Sequence, residues 1–151
     1  MTAYEYRAGT DDAIIEMAKT VRRAVFIEEQ GVSEAEEMDG KDEEALHVVA
    51  TDGDDPVGTA RVRFTDETTA KVERVAVCRS HRGEGIGRRV MDVAESQAVK
   101  RGADTAKLHS QVRVRAFYES LGYEATGDQF DEAGIPHVAM VKDLAHSRTS
   151  T

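Results

Sequence analysis

Five places in this chain carry residues that could act together in chemistry: Glu73, the stretch RGEGIGRR from Arg82 to Arg89, His109, Tyr118 and His137. A carboxylate or an imidazole can take a proton near neutrality, and a phenol can give one. RGEGIGRR follows the apolar run VERVAV and precedes an amphipathic segment. A strand, a glycine turn and a helix start in that order gather backbone N–H groups that have no helical partner, where the helix dipole favours an anion. Arg82, Arg88 and Arg89 add positive charge, so the chemistry suits a diphosphate. A bare structural turn or a flexible hinge would leave the same pattern. Spacing excludes two familiar nucleotide loops: Arg88 stands where a dinucleotide fingerprint needs its third glycine, and no Gly-Lys followed by Ser or Thr is present. His47, His109 and His137 lack metal-ligand spacing and Cys78 is the sole cysteine, so no metal is expected.

Positioning these residues requires an alternation of strands and helices. Tyr4 to Arg7 alternates as a strand, and Thr10 or Asp11 offers an N-cap. Ile14, Ile15, Ala18, Val21 and Val25 recur at helical spacing, which predicts a helix to about Glu29, ended by Gly31. SEAEEMDGKDEE is too charged for a core and reads as a loop or short exposed helix. LHVVA, Val57 to Phe64 and VERVAV read as three strands joined by turns. Ile86, Val90, Ala94, Gln97 and Ala98 share a helical face up to Gly102. AKLHS is a short strand, VRVRAFYESLG a helix closed by Gly122, and YEATGDQF with HVAMVKDL a terminal strand pair. The order is β α (α) β β β α β α β β, an α/β chain with an antiparallel middle and a later βαβ unit. One domain over 1–145 and a flexible tail over 146–151 are expected.

The 29 Asp and Glu outweigh the 20 Lys and Arg, giving a net charge of −9, with arginine commoner than lysine. Such a surface repels phosphate backbones and argues against nucleic-acid binding. It also fits proteins of salt-rich cytoplasms. No apolar run approaches the ~20 residues that cross a bilayer, and the N-terminus has no signal-peptide layout, so a cytoplasmic protein without a membrane partner is expected.

Arg82, Gly85 and Gly87 spell the RxxGxG signature that resembles the GCN5-related N-acetyltransferases, or GNAT family, and AFYESLGY, Ala116 to Tyr123, is similar to a second element of that family. AVFIEEQ, the acidic loop ending at His47, HSQ at His109 to Gln111, and AGIPHVAM look like its ElaA/YjcF-type branch. Where many members carry Asn, this chain has Gln111. The resemblance covers essentially the whole chain. It implies a mixed, mostly antiparallel sheet splayed between its fourth and fifth strands and flanked by helices. Acetyl-CoA would be the co-substrate, lying in that splay: Val75, Ala76 and Val77 beside its pantetheine arm, the backbone of Arg82, Gly83, Glu84, Gly85, Ile86, Gly87 and Arg88 around its diphosphate, and Gln111 near pantetheine or ordering Tyr118.

The resemblance also implies roles. An alkyl ammonium with a pKa near ~10.4 must lose a proton before it can attack. Glu73 is the first candidate base, directly or through water, with His109 and His137 next; Tyr118 is the acid for the departing thiolate. A strand N–H near Val75 would meet the developing oxyanion. The acceptor, a small-molecule or peptide amine, would enter past the first helix, the acidic loop and the last hairpin, near Glu29, His109 and His137. There Glu28, Glu29, Glu36, Glu37 and Asp39 could attract a cation. Homodimers are common in the family. Two other readings remain at this point: a noncatalytic acyl-CoA-binding regulatory module, and a nucleotide-binding interaction domain.

Overall fold

A computed structural model describes residues 4–144; the tail expected from residue 146 lies outside them. Strand β1 (Glu5–Gly9) leads to helix α1 (Asp12–Arg22), which continues as a π-helix (Arg23–Glu29), and to the short α2 (Glu34–Glu37). Then come β2 (Leu46–Asp52), β3 (Asp55–Phe64), β4 (Thr69–Val77), α3 (Ile86–Lys100), β5 (Thr105–Gln111), α4 (Arg115–Ser120), β6 (Glu124–Glu132) and β7 (Ile135–Asp143). They form a seven-stranded sheet in the order β1-β2-β3-β4-β5-β7-β6, with β4 and β5 the parallel pair and the other neighbours antiparallel.

Asp11 is the N-cap of α1, its carboxylate accepting from the Ile14 N–H at 3.0 Å. The helix runs to Glu29 as the periodicity predicts, but its last turns widen: the Gln30 N–H reaches Val25 O at 3.1 Å and the Val32 N–H reaches Phe26 O at 2.8 Å. Such widened turns often mark functional sites. Here the widening brings Val25 against Ala76 on β4. On the other face of the sheet, Ile86, Val90, Met91, Ala94 and Ala98 of α3 pack on Val48, Ala50, Ala60 and Val62.

The acidic segment departs from its sequence reading. It is not simply exposed: Glu37 and Asp42 are buried, over a row of buried or half-buried cations. Arg22 of α1, wholly buried, binds Glu37 at 2.8 Å and Asp42 at 2.6 Å. Arg61 of β3, also wholly buried, binds Asp39 at 2.7 Å, Asp42 at 3.0 Å and Glu73 at 3.0 Å. The reason is the alternation of β3 and β4, which puts Arg61, Arg63, Lys71 and Glu73 on one sheet face beside α1. That face can be covered only by a segment bringing carboxylates.

A bulge in β4 sets the shape of the site. Thr59 pairs with Ala76 and Arg61 with Glu73, so Arg74 and Val75 together oppose Ala60. Arg74 has φ +55°, a conformation costing about 1 kcal/mol or more for a side-chain-bearing residue. Ion pairs hold it there: its Nε lies 2.7 Å from Glu37 Oε2 and its Nη2 3.3 Å from Asp39 Oδ2. The extra residue reverses the alternation, so Glu73 lies on the charged side and Ala76 joins the apolar contact with α1.

Candidate active site

Strands β4 and β5 pair only from Thr69↔Thr105 to Val72↔Leu108. Beyond that they part, and a cleft of about 910 Å³ opens between them. Val75, Ala76 and Val77 line one arm, with His109 and Gln111 on the other. The cleft also reaches Gly83, Gly85, Gly87, Arg88 and Tyr118. Of the residues singled out in the sequence, Glu28, Glu29, His47, Glu84 and Arg89 are not among those lining it.

The glycines resolve into different jobs. Gly83 and Gly85 adopt φ of +82° and +83°, which a side chain would strain, and a Cβ on either would meet only open space. Gly83 is thus as much part of the turn as the signature glycines. Gly87 instead allows close approach, since its Cβ would fall 3.3 Å from Phe117 Cζ. Gly85 caps α3 with no side-chain hydrogen bond, whereas Asp11 caps α1. The first N–H groups of α3 therefore face the cleft without a side-chain cap and can meet an anion.

Arg82 and Glu29 do something the sequence did not disclose. The Arg82 guanidinium grips Glu29 with two bonds of 2.7 Å, and its Nε donates to Val77 O at 2.9 Å. The hydrogen bond from Arg82 holds the Glu29 carboxyl below its ordinary range. Glu29 is consequently engaged with the glycine loop that starts at Arg82. Gln30 accepts from Gln111 Nε2 at 2.9 Å, and Arg113 Nε donates to Gln111 Oε1 at 2.9 Å. Two consecutive residues at the end of the π-helix thus tie both arms of the opening. Because the Arg82–Glu29 pair is partly exposed, Glu29→Gln should lower stability by under about 1 kcal/mol in a denaturant titration, even though the pair is bidentate.

Glu73 lies in the cleft wall, but three cations hold it: Arg63 at 2.6 Å, Arg61 at 3.0 Å and Lys71 at 3.3 Å. Burial alone would raise its pKa; the bonds from Arg63 and the charges of Arg61 and Lys71 outweigh this and bring it down to about 2. Such a carboxylate is a weak proton acceptor at neutral pH. Glu37 and Asp39 are likewise engaged by arginines, and Glu36 accepts from Ser33 Oγ at 3.1 Å. These acids are largely unavailable as a cation trap.

Tyr118 is buried at 7% exposure, edge-on to Phe117 and Tyr123, and burial pushes its phenol well above the ordinary value. It therefore stays protonated at neutral pH. Its hydroxyl has no protein hydrogen bond among the described residues. His109 and His137 sit together across β5 and β7 with Glu132 of β6: His109 Nδ1 lies 3.0 Å from Glu132 Oε1, and His137 Nε2 3.8 Å from Glu132 Oε2. Glu132 escaped the sequence reading because an acidic residue in a hairpin carries no signal until strand register is known. His47 is buried away from the cleft, its Nε2 2.9 Å from Asp42 O. Among the described residues no group of three or more His, Cys, Asp or Glu is placed to hold a metal, and no helix is long and apolar enough to cross a membrane.

The GNAT acetyltransferase domain profile matches residues 9–144. This chain belongs to the GNAT family. It is 40% identical over 124 residues to the uncharacterized N-acetyltransferase YjcF of Bacillus subtilis, covering 82% of this chain and 88% of YjcF. Among solved structures, Escherichia coli ElaA superposes with a TM-score of 0.83 at 24% identity, over 93% of this chain and 100% of ElaA. An aminoglycoside 6'-N-acetyltransferase complexed with coenzyme A superposes with a TM-score of 0.72 at 18% identity, over 94% of this chain and 97% of that one. The GNAT chain described here is an acyl-CoA-dependent N-acetyltransferase.

Proposed function

We propose that this GNAT protein transfers an acetyl group from acetyl-CoA to the primary amine of a small molecule or peptide, by direct attack of the amine. The observation that carries this reading is the continuous opening from the parted strands to the uncapped start of α3. The β4 edge at Val75 to Val77, left without a β5 partner, suits an extended pantetheine arm paired as an added strand. The amides from Arg82 to Arg88 suit a diphosphate, and Gln111, fixed by Gln30 and Arg113, borders the same opening. Acetyl-CoA would supply an activated thioester carbonyl. Tyr118, kept protonated by burial, is the acid in this reading.

Incubation with acetyl-CoA and a panel of primary amines, read by release of free thiol, tests the proposal. The net charge of −9 fits a salt-rich cytoplasm, so low and high potassium chloride are both used. Release that depends on an amine supports transfer; tight CoA binding without release under every condition would support the noncatalytic module instead. Gly85→Val probes the cradle separately. A branched side chain at φ +83° costs about 2 kcal/mol and re-aims the first amides of α3, so CoA affinity by calorimetry should fall at least tenfold.

A further inference from the structure

We propose that His109, oriented by Glu132, takes the proton from the acceptor ammonium. The inference rests on the acetyl-transfer reading above and names the group that makes the amine reactive. The last paired residues of β4 and β5 are Val72 and Leu108, so Glu73 and His109 are the first residues on the two arms of the opening. Leu108 and Ser110 point into the buried side of β5, and alternation sends His109 to the other face, that of Lys71 and Glu73. Glu73 is occupied by Arg61, Arg63 and Lys71. His109 is the residue of this pair with a free acceptor.

Its tautomer follows from its partner. The Glu132 carboxylate only accepts, so the His109 Nδ1 facing it at 3.0 Å carries the hydrogen. The neutral ring's lone pair then lies on Nε2, which has no protein partner among the described residues. Phe130 stands edge-on to the ring at 5.0 Å and limits its rotation. His137 is differently placed: its Nδ1 donates to Ile135 O at 2.7 Å and its Nε2 lies 3.8 Å from Glu132, so both nitrogens face protein groups. Glu132 is the charged group bound to His109, and the cleft that His109 lines also holds His137 of β7, Lys71, Glu73 and Arg74 of β4, Asp39 and Lys41 of the acidic segment, Arg113 after β5 and Tyr118 of α4.

In the step, an N–H bond of the ammonium breaks and its proton moves to Nε2, leaving an imidazolium beside the Glu132 anion. The electron pair freed on nitrogen forms the C–N bond to the acyl carbon, and as the C–S bond breaks sulfur leaves with the electron pair of that bond. Nitrogen loses a second proton in becoming an amide, matching the one that sulfur acquires, and His109 returns its own proton to solvent.

The test uses the full-length protein with an amine found active in the panel. His109→Gln is expected to lower kcat/KM at least a hundredfold while CoA affinity stays within threefold, and to lose much less on a weakly basic amine that is already neutral at assay pH. Glu132→Gln should lower kcat/KM, by less than His109→Gln does, because the ring remains but loses the carboxylate that orients it. Ring-nitrogen NMR of the protein without ligands should find His109 protonated at Nδ1 and bare at Nε2, with the other tautomer appearing in Glu132→Gln. An active wild type with an equally active His109→Gln, or a His109 ring protonated at Nε2, overturns the proposal and leaves acetyl transfer standing. A wild type that releases no CoA with any amine overturns both.

Discussion

Replacing Arg61 by methionine is expected to lower the unfolding free energy by about 3–5 kcal/mol, although the new side chain fills a similar volume. Arg61 is wholly buried and is bound by Asp39, Asp42 and Glu73 at 3.0 Å or less. Methionine would satisfy the packing and leave those carboxylates close together with less positive charge to hold them. Arg63, Lys71 and Arg74 still reach Glu73 and Asp39, which keeps the loss from being larger. For a chain of this size that loss corresponds to a fall in melting temperature of about 10 °C, read by calorimetry. The same cluster predicts a pH dependence. Burial would raise the Asp39 and Glu73 pKa values, but Arg61 and its neighbours hold both below the ordinary range, Glu73 at about 2. A carboxyl depressed in the folded state binds fewer protons there than when unfolded, so its contribution is fully present above the unfolded value near ~4 and is lost as pH falls toward about 2. Wild-type stability should thus drop steeply between those values, and the Arg61→Met variant more gently.

This cluster also marks where sequence reading stopped. The run of β α (α) β β β α β α β β was legible because α1 and α3 carried apolar spacing and the strands were set off by turn residues. RGEGIGRR gave its position as well, since a strand, glycines and a helix face announce themselves locally. The acidic segment misled because its counter-ions are distant in sequence: Arg22 lies on α1 and Arg61 on β3. Arg61 and Arg63, alternating inside an otherwise apolar strand, were the available sign of a charged sheet face needing acidic cover. The Arg82–Glu29 and Gln111–Gln30 ties were illegible for another reason. They depend on the widened end of α1, and no pattern of apolar spacing distinguishes a π turn from an α turn. Glu132 needed the register of the last hairpin, which brings it beside a histidine of β5 through the intervening β7.

Tyr118→Phe is expected to lower kcat by about a hundredfold or more while leaving the fold nearly untouched. Both halves follow from the same surroundings. The ring packs on Phe117 and Tyr123, with centroids 5.0 Å and 6.0 Å away, and phenylalanine keeps that contact. The hydroxyl has no protein hydrogen bond among the described residues, so its removal strands no partner, and unfolding midpoints should agree within a few degrees. CoA affinity, measured by calorimetry, should also change little, because the ring and not the hydroxyl shapes that wall of the cleft. What disappears is a proton source that burial keeps protonated through neutral and mildly alkaline pH. If the phenol gives its proton to the departing sulfur, the loss falls on kcat. It should shrink when the CoA thiol is exchanged for a more acidic one, which leaves without needing protonation. Equal kcat in the two proteins would show Tyr118 to be a packing residue and would return the sulfur's proton to water.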